Sequence, residues 1–428
     1  MTFSFLHISD IHLGRPFSNI SKYSYDNRIK ELYNCAVEKA FNNCINFALL
    51  KNVDFVLISG DTFDSNEQDF KSKLILKEGL EKLEKADIKV FLVGGNHDPI
   101  SSYNKNTFNF DENSNIKIIG LNTVSPYKNT VLDKSGNEIA IIQALSFNEN
   151  TFNENPIKYF EPKEFDEKNL FNIGLLHCDL DASKQSPYAP CLLGELQSLN
   201  YDYWALGHIH LPNYDEKNIQ YSGTIQGRNT KETGVHGIRY IKVENNQIIK
   251  NSLIPTDIIR FEDITIDLSQ SNDEITAYNQ IMEELLNFSG SNNNYNCELH
   301  LIRLELIGNI NFFSEINENF FDVLSERVKN DFNNKIYIST IANNTKPKVD
   351  EKILKEDDGI AGEIFKTTQE SNITDYFQSI ENDLKGIIPL CNFTQEEFIE
   401  FKKEIEIDIK EKCINICNSI YHSESHED

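Results

Sequence analysis

Five short segments carry side chains able to do metal or acid–base chemistry. They are SDIH (Asp10, His12), GDTFD (Asp61, Asp64), GGNHDP (Asn96, His97, Asp98), LLHCD (His177) and GHIH (His208, His210). Half of the chain's 10 histidines lie in them. Carboxylate, imidazole and amide oxygen together suit ions of the manganese, iron or zinc class better than calcium. In D-x-H and H-x-H, alternate residues of an extended chain point to one side, so one segment can grip one ion twice. Two ions held about 3.5–4 Å apart need a bridging ligand, normally a carboxylate. Asp61, behind a glycine at the tip of an apolar run, is the natural bridge.

Each segment follows a stretch that reads as a buried strand: residues 3–9, 54–61, 89–98, 172–177 and 203–208. Helical spacing of apolar residues over 26–51 and 67–86 places helices between the first three. Strand–helix–strand order argues a layered α/β domain, and the loops beyond the carboxyl ends of its strands line the binding crevice. After about residue 115 come short strands at 116–121, 138–145, 172–177, 203–208, 219–223 and 237–243, which suit a second sheet packed on the first. A break near Pro255 separates residues 1–255 from a small α+β region, 256–345, with helices at 274–287 and near 314–332. Residues 346–428 read as helical and acidic.

The chain has 428 residues and a formal net charge of −26. Such a balance repels nucleic acid in general, so any DNA binding must rest on local patches, metal ions or a partner. Eight cysteines occur without a CxxC pair. With MTFSFLHISD unlike a signal peptide, reduced thiols and a cytoplasmic protein are expected. No run reaches the length of a membrane span.

The set D-x-H, G-D-x-x-D, G-N-H-D, H and G-H-x-H resembles the calcineurin-like metallophosphoesterase superfamily. The fuller strings HISDIHLGRPF, VDFVLISGDTFDSN, LVGGNHDP, SPYAPC, YDYWALGHIH and YSGTIQGRNTKETG are similar to bacterial DNA-repair exonucleases of the SbcD and YhaO type. The resemblance covers about residues 1–250. It implies a four-layer α/β/β/α sandwich, with 256–345 as a capping domain and 346–428 as a helical extension that docks a partner. It also implies a DNA nuclease with two divalent ions, most readily Mn2+. Asp10, His12 and His210 would hold the first ion and Asn96, His177 and His208 the second, with Asp61 bridging. His97 would sit over the scissile phosphate and Asp64 would orient His97, although some nuclease relatives carry histidine at that position. Relatives bind a coiled-coil, SMC-like ATPase supplied by another chain, and some dimerise. No G-x-x-x-x-G-K-[ST] loop occurs here. The alternatives are a phosphoesterase acting on nucleotides or phosphoproteins, and a non-catalytic scaffold for an ATPase.

Arg15 and Arg228 are candidates for substrate phosphates, because guanidinium suits phosphate oxygens. His7 reads as a packed core histidine. Tyr188 and Cys191, in SPYAPC, are placed to shape a channel near His177. Residues 394–420 carry an amphipathic stripe (398, 401, 405, 409, 414) that either packs on its own domain or docks the partner.

Overall fold

The structure is a computed structural model. It describes residues 2–14, 27–65, 68–163, 170–181, 186–212, 218–291, 297–348 and 351–370, with 413, 416, 417 and 420. Arg15 and most of 394–420 lie outside the described residues.

The chain divides into two units. The first runs through Glu262 and takes in Leu299–Leu301 and Lys335–Tyr337. It begins with β1 (Thr2–Ile8), α1 (Asn27–Lys51), β2 (Phe55–Ser59), α2 (Phe70–Lys85), β3 (Lys89–Val93) and β4 (Ile116–Ile118). Then come β5 (Tyr127–Leu132), β6 (Glu138–Leu145), β7 (Phe171–His177), α3 (Leu193–Ser198), β8 (Tyr203–Gly207), β9 (Ile219–Tyr221), β10 (Gly237–Glu244) and β11 (Gln247–Pro255).

These strands form two sheets, ordered β11-β10-β1-β2-β3-β4 and β5-β6-β7-β8-β9. Strands β1 to β4 run parallel, as do β6 to β9. The central strands are apolar on both faces, because both faces are covered. On one side Leu6, Ile8, Val56, Ile58 and Val90 pack against Ala40, Phe41 and Ile45 of α1 and Leu76, Leu80 and Leu83 of α2. On the other, Phe5, Phe55, Leu57 and Phe91 meet Ile142, Ile173, Leu175 and Tyr203 of the second sheet. Beyond that sheet, Leu176, Trp204 and Leu206 pack with Leu196 of α3, Phe160 and Tyr201. The layers therefore run α/β/β/α.

Strand membership differs from the expectation in one respect. β4 and β10 belong to the first sheet, and β10 lies antiparallel beside β1. Its alternating residues Ile241 and Val243 fill the intersheet core. Either sheet accepts that pattern, so the sequence could not choose between them. His7 is a core histidine: Nδ1 lies 3.1 Å from the Tyr203 hydroxyl and Nε2 3.0 Å from Ser59 Oγ. Burial, helped by Arg239, pushes its pKa down to about 3.

The second unit includes most of β12 (Ile259–Asp267), α4 (Glu274–Ser291), β13 (Leu299–Ile310), α5 (Glu318–Asp331) and β14 (Ile336–Pro347). The three strands form a sheet in the order β12-β13-β14. Helix α4 buries Ala277, Ile281 and Leu285, a stripe at four-residue spacing. Helices α6 (Glu351–Glu356) and α7 (Ile360–Glu370) follow. Their Leu354, Ala361 and Phe365 form a small cluster with Cys417.

Gly174 of β7 pairs in register with Trp204 of β8. A Cβ built at Gly174 would lie 2.1 Å from Trp204 Cε3. Gly174→Ala is therefore expected to lower the unfolding free energy by about 1–3 kcal/mol through overpacking, measured by denaturant titration. Wild-type stability would contradict the packing described for this layer.

Candidate metal centre

All five chemical segments leave the carboxyl ends of parallel strands. Asp10 and His12 follow β1, Asp61 and Asp64 follow β2, and Asn96 and His97 follow β3. His177 closes β7, while His208 and His210 follow β8. The tips of the two sheets touch at backbone distance. A Cβ at Gly207 would fall 2.0 Å from the Ser59 carbonyl oxygen, and one at Gly95 would fall 2.2 Å from Asp61 Oδ1. Only glycine fits at these crossings.

The expectation that alternation along extended chain aims Asp10 with His12 is corrected here. Asp10 (φ 49°), His12 (φ 51°), Asp61 (φ 49°) and His208 (φ 109°) all have positive φ. Side chains avoid such backbone, at a cost of order 1–3 kcal/mol each, and it persists where the surroundings impose it. His208 and His210 accordingly reach different partners. His208 Nδ1 lies 3.2 Å from Asn96 Oδ1, whereas His210 Nε2 lies 3.1 Å from His12 Nε2.

The side chains gather into three overlapping groups. Asp10, His12 and His210 bring ligand atoms together within 4.8 Å, as do Asp10, Asp61 and His177, and His12, Asp64 and His97. His12 Nε2 is 3.8 Å from Asp61 Oδ2, and His177 Nε2 is 3.6 Å from the same oxygen. Asp61 thus faces the first two groups. His177 Nε2 also lies 2.9 Å from Asn96 Oδ1.

The outer ring nitrogens decide what these groups can hold. His210 Nδ1 lies 2.8 Å from Glu232 Oε1, His12 Nδ1 lies 3.1 Å from Asp64 Oδ1, and His177 Nδ1 lies 2.9 Å from the Ser59 carbonyl. The Glu232 and Ser59 oxygens only accept, which assigns the proton to Nδ1 of His210 and His177 when those rings are neutral, whereas His12 Nδ1 is buried without a hydrogen bond despite its approach to Asp64. His210 and His177 then turn the lone pair of Nε2 inward, His210 toward His12 Nε2 and His177 toward oxygens of Asn96 and Asp61. Such an arrangement is repulsive alone and becomes favourable around cations. The donor set fits two divalent metal ions.

Burial pushes the His12 pKa well down, with Arg228 adding to the effect. Burial next to His177 brings His208 to about 4. Burial also opposes charge on Asp61, but His177, His12 and His97 outweigh it and hold that carboxyl below its ordinary range. Neutral imidazoles and an ionised Asp61 are the forms that ligate metals.

His97 falls in the group with His12 and Asp64 and is held by its backbone and its outer nitrogen. Its backbone N–H donates to Asp61 Oδ1 at 2.9 Å and its Nδ1 lies 2.8 Å from the Asp64 carbonyl oxygen. Asp64 therefore orients His97 through its main chain, a correction to the expected carboxylate contact. The Asp64 carboxylate instead meets His12 and, at 3.2 Å, Arg228 Nη1. Arg228, expected as a candidate for substrate phosphates, has a side chain that is 6% exposed and ion-paired with Asp64. Tyr188 packs against His208, ring centroids 5.0 Å apart.

Sequence reasoning left two residues without a role. Glu232 supports His210 through the contact to Nδ1. Asp98 is fully buried and accepts four bonds: from the Thr62 N–H (2.8 Å), the Phe63 N–H (3.2 Å), the Gly95 N–H (2.9 Å) and the Tyr103 hydroxyl (2.7 Å). It staples the Asp61 loop to the Asn96 loop. Burial, and then the charge of Asp61, push its pKa up to about 7. Its place beside the NH pair was the one available signal.

This architecture and donor set are chemically suited to hydrolysis of phosphate esters. Residues 3–212 match the calcineurin-like phosphoesterase family. Over 415 residues it is 27% identical to the metallophosphoesterase YhaO of Bacillus subtilis (strain 168), covering 95% of this chain and 97% of that protein. It is 29% identical over 230 residues to the DNA double-strand break repair protein Mre11 of Methanocaldococcus jannaschii, 52% of this chain and 56% of that protein. It is 22% identical over 315 residues to the SbcD component of the nuclease SbcCD of Staphylococcus epidermidis, 69% of this chain and 78% of that protein.

Asp98→Ala strands three backbone donors at a cost of about 1–3 kcal/mol. It is expected to lower stability by that amount and to accelerate amide exchange at Thr62, Phe63 and Gly95, read by mass spectrometry. Unchanged protection of both loops would show that Asp98 does not join them.

Proposed function

We propose that the protein is a two-metal DNA nuclease, an exonuclease open also to endonucleolytic cutting, which uses Mn2+ to process DNA ends in repair. The observation that carries this reading is the pair of donor groups that share Asp10, with Asp61 Oδ2 within 4 Å of both His12 and His177 and with His97 held against Asp61. In the proposed division, Asp10, His12 and His210 hold one ion and Asn96, His177 and His208 the other. When bound, the ions would neutralise the phosphate and activate water for in-line attack near neutral pH.

The chain's own residues do the rest. Asp61 presents its oxygens toward both groups and fixes the His97 backbone. With Nδ1 committed to the Asp64 carbonyl, His97 keeps Nε2 to stabilise developing charge or to protonate the leaving oxygen. The names of the Mre11 and SbcCD relatives support DNA as the substrate class. The net charge of −26 gives this chain little general attraction for DNA. That supports a second polypeptide, an SMC-like ATPase, as the partner that brings DNA, with residues 346–428 as its docking region. Homodimerisation and a cytoplasmic location belong to the same proposal. Among the described residues no helix is long and apolar enough to cross a membrane.

Purified protein with Mn2+ is expected to cleave a labelled linear duplex or single strand as well as a chromogenic phosphodiester. Cleavage of the small ester alone, with the ATPase also supplied, would sink the nuclease reading and leave a small-substrate phosphoesterase. His97→Ala is expected to reduce turnover by about 10²–10⁴-fold while elemental analysis still finds both ions. Asp61→Ala is expected to lose at least one ion. Wild-type turnover in either variant would overturn the residue roles. Removal of residues 346–428 is expected to abolish co-purification with the ATPase while leaving cleavage of the small ester in place; retained association would place the docking surface elsewhere.

A further inference from the structure

Behind one of the two donor groups the side chains close into a ring. His12 and His210 face each other through Nε2 at 3.1 Å. On the far side of His210, Nδ1 meets Glu232 Oε1 at 2.8 Å. On the far side of His12, Nδ1 meets Asp64 Oδ1 at 3.1 Å. Arg228 lies between the two carboxylates. Its Nη1 is 3.2 Å from Asp64 Oδ1, its Nε is 4.0 Å from Glu232 Oε2, and its backbone N–H donates to Glu232 Oε2 at 2.8 Å. Its Nη2 lies 3.4 Å from His210 Nδ1.

We infer that Arg228, Asp64 and Glu232 form a positioning brace that makes the ion site at Asp10, His12 and His210 the tighter of the two. The inference rests on the two-ion reading and goes beyond it, to the residues that set unequal affinities. Three physical arguments carry it. A carboxylate on the outer nitrogen fixes the tautomer and strengthens the imidazole as a donor. His210 has one in Glu232, and the Asp64 carboxylate stands 3.1 Å from the outer nitrogen of His12 without hydrogen-bond geometry. At the other site, the outer nitrogen of His177 meets only the neutral Ser59 carbonyl.

The second argument concerns charge. Two carboxylates lie on one guanidinium, at 3.2 and 4.0 Å, and burial raises the cost of charge on each. A planar guanidinium between them offsets that cost and holds their separation, which a flexible ammonium does less well. The third is position. Arg228 and Glu232 follow β9 on one loop and Asp64 follows β2, so the brace ties loops from both sheets. Asp64 is thereby a positioning residue for His12.

The test is stepwise calorimetric titration of metal-free full-length protein with Mn2+. Wild type is expected to show two steps of unequal affinity. Arg228→Met keeps the bulk of the side chain and removes its charge. It is expected to weaken the tighter step about 10–100-fold and leave the weaker step nearly unchanged, so that the two approach each other. Arg228→Lys is expected to recover part of the loss. Glu232→Gln, close in shape to the native residue, is expected to weaken the same step and carries the test if Arg228→Met does not fold. Two wild-type steps that stay unchanged in both variants would overturn the brace, as would equal weakening of both steps. A wild type that binds one ion or none would instead overturn the two-ion reading itself, so the two failures are distinguishable.

Discussion

The rest of this structure answers to one constraint: several nitrogen and oxygen atoms able to bind a cation must be held facing one another in a buried place. His12 and His210 turn Nε2 toward each other at 3.1 Å, and His177 turns its own toward oxygens of Asn96 and Asp61. Left alone, such a cluster would protonate or spread apart. The outer nitrogens of His210 and His177 are held by oxygens that only accept, and that of His12 faces the Asp64 carboxylate. The same contacts that make the site uncomfortable when empty of charge make it selective for divalent cations.

The two-sheet sandwich is the means of holding that constraint. Parallel strands deliver their carboxyl ends to one edge, and packing two such sheets brings five loops to one place. The approach is close enough that Gly207 and Gly95 leave no room for a methyl group. Left-handed backbone at Asp10, His12, Asp61 and His208 bends the chain sharply at the strand tips. That strain is offset by the large apolar layers beneath, in which Phe5, Phe55, Ile173 and Tyr203 are fully buried. Asp98 adds the local staple between the two loops that Asp61 and Asn96 occupy.

Behind the donors, the polar groups are arranged unequally. Arg228, Asp64 and Glu232 support one side with charge, while the other side leans on a main-chain carbonyl. His97 draws on the same economy of contacts, since one carbonyl fixes its ring and one carboxylate oxygen fixes its backbone. A histidine placed this way is coupled to Asp61 through its backbone. The acidity of the chain as a whole matters at longer range, where a net charge of −26 repels polyanions.

Much of this was legible in the chain itself. Apolar runs ending in Asp, Asn or His marked the strand tips, because a buried strand needs continuous apolar residues and a metal needs those donor types. The helices α1 and α2 were legible from spacing, for burial of one face imposes its own period. What only the tertiary structure decided concerns direction and partnership. No local pattern separates a β10 that joins the first sheet from one that joins the second, since both present an apolar face. Nor does a sequence tell that Asp64 orients His97 by its carbonyl and His12 by its carboxylate, that Arg228 is buried behind the ligands, or that Glu232 and Asp98 serve them. Those roles depend on contacts between loops far apart along the chain, whose geometry exists only once two sheets have packed and forced left-handed turns at their tips.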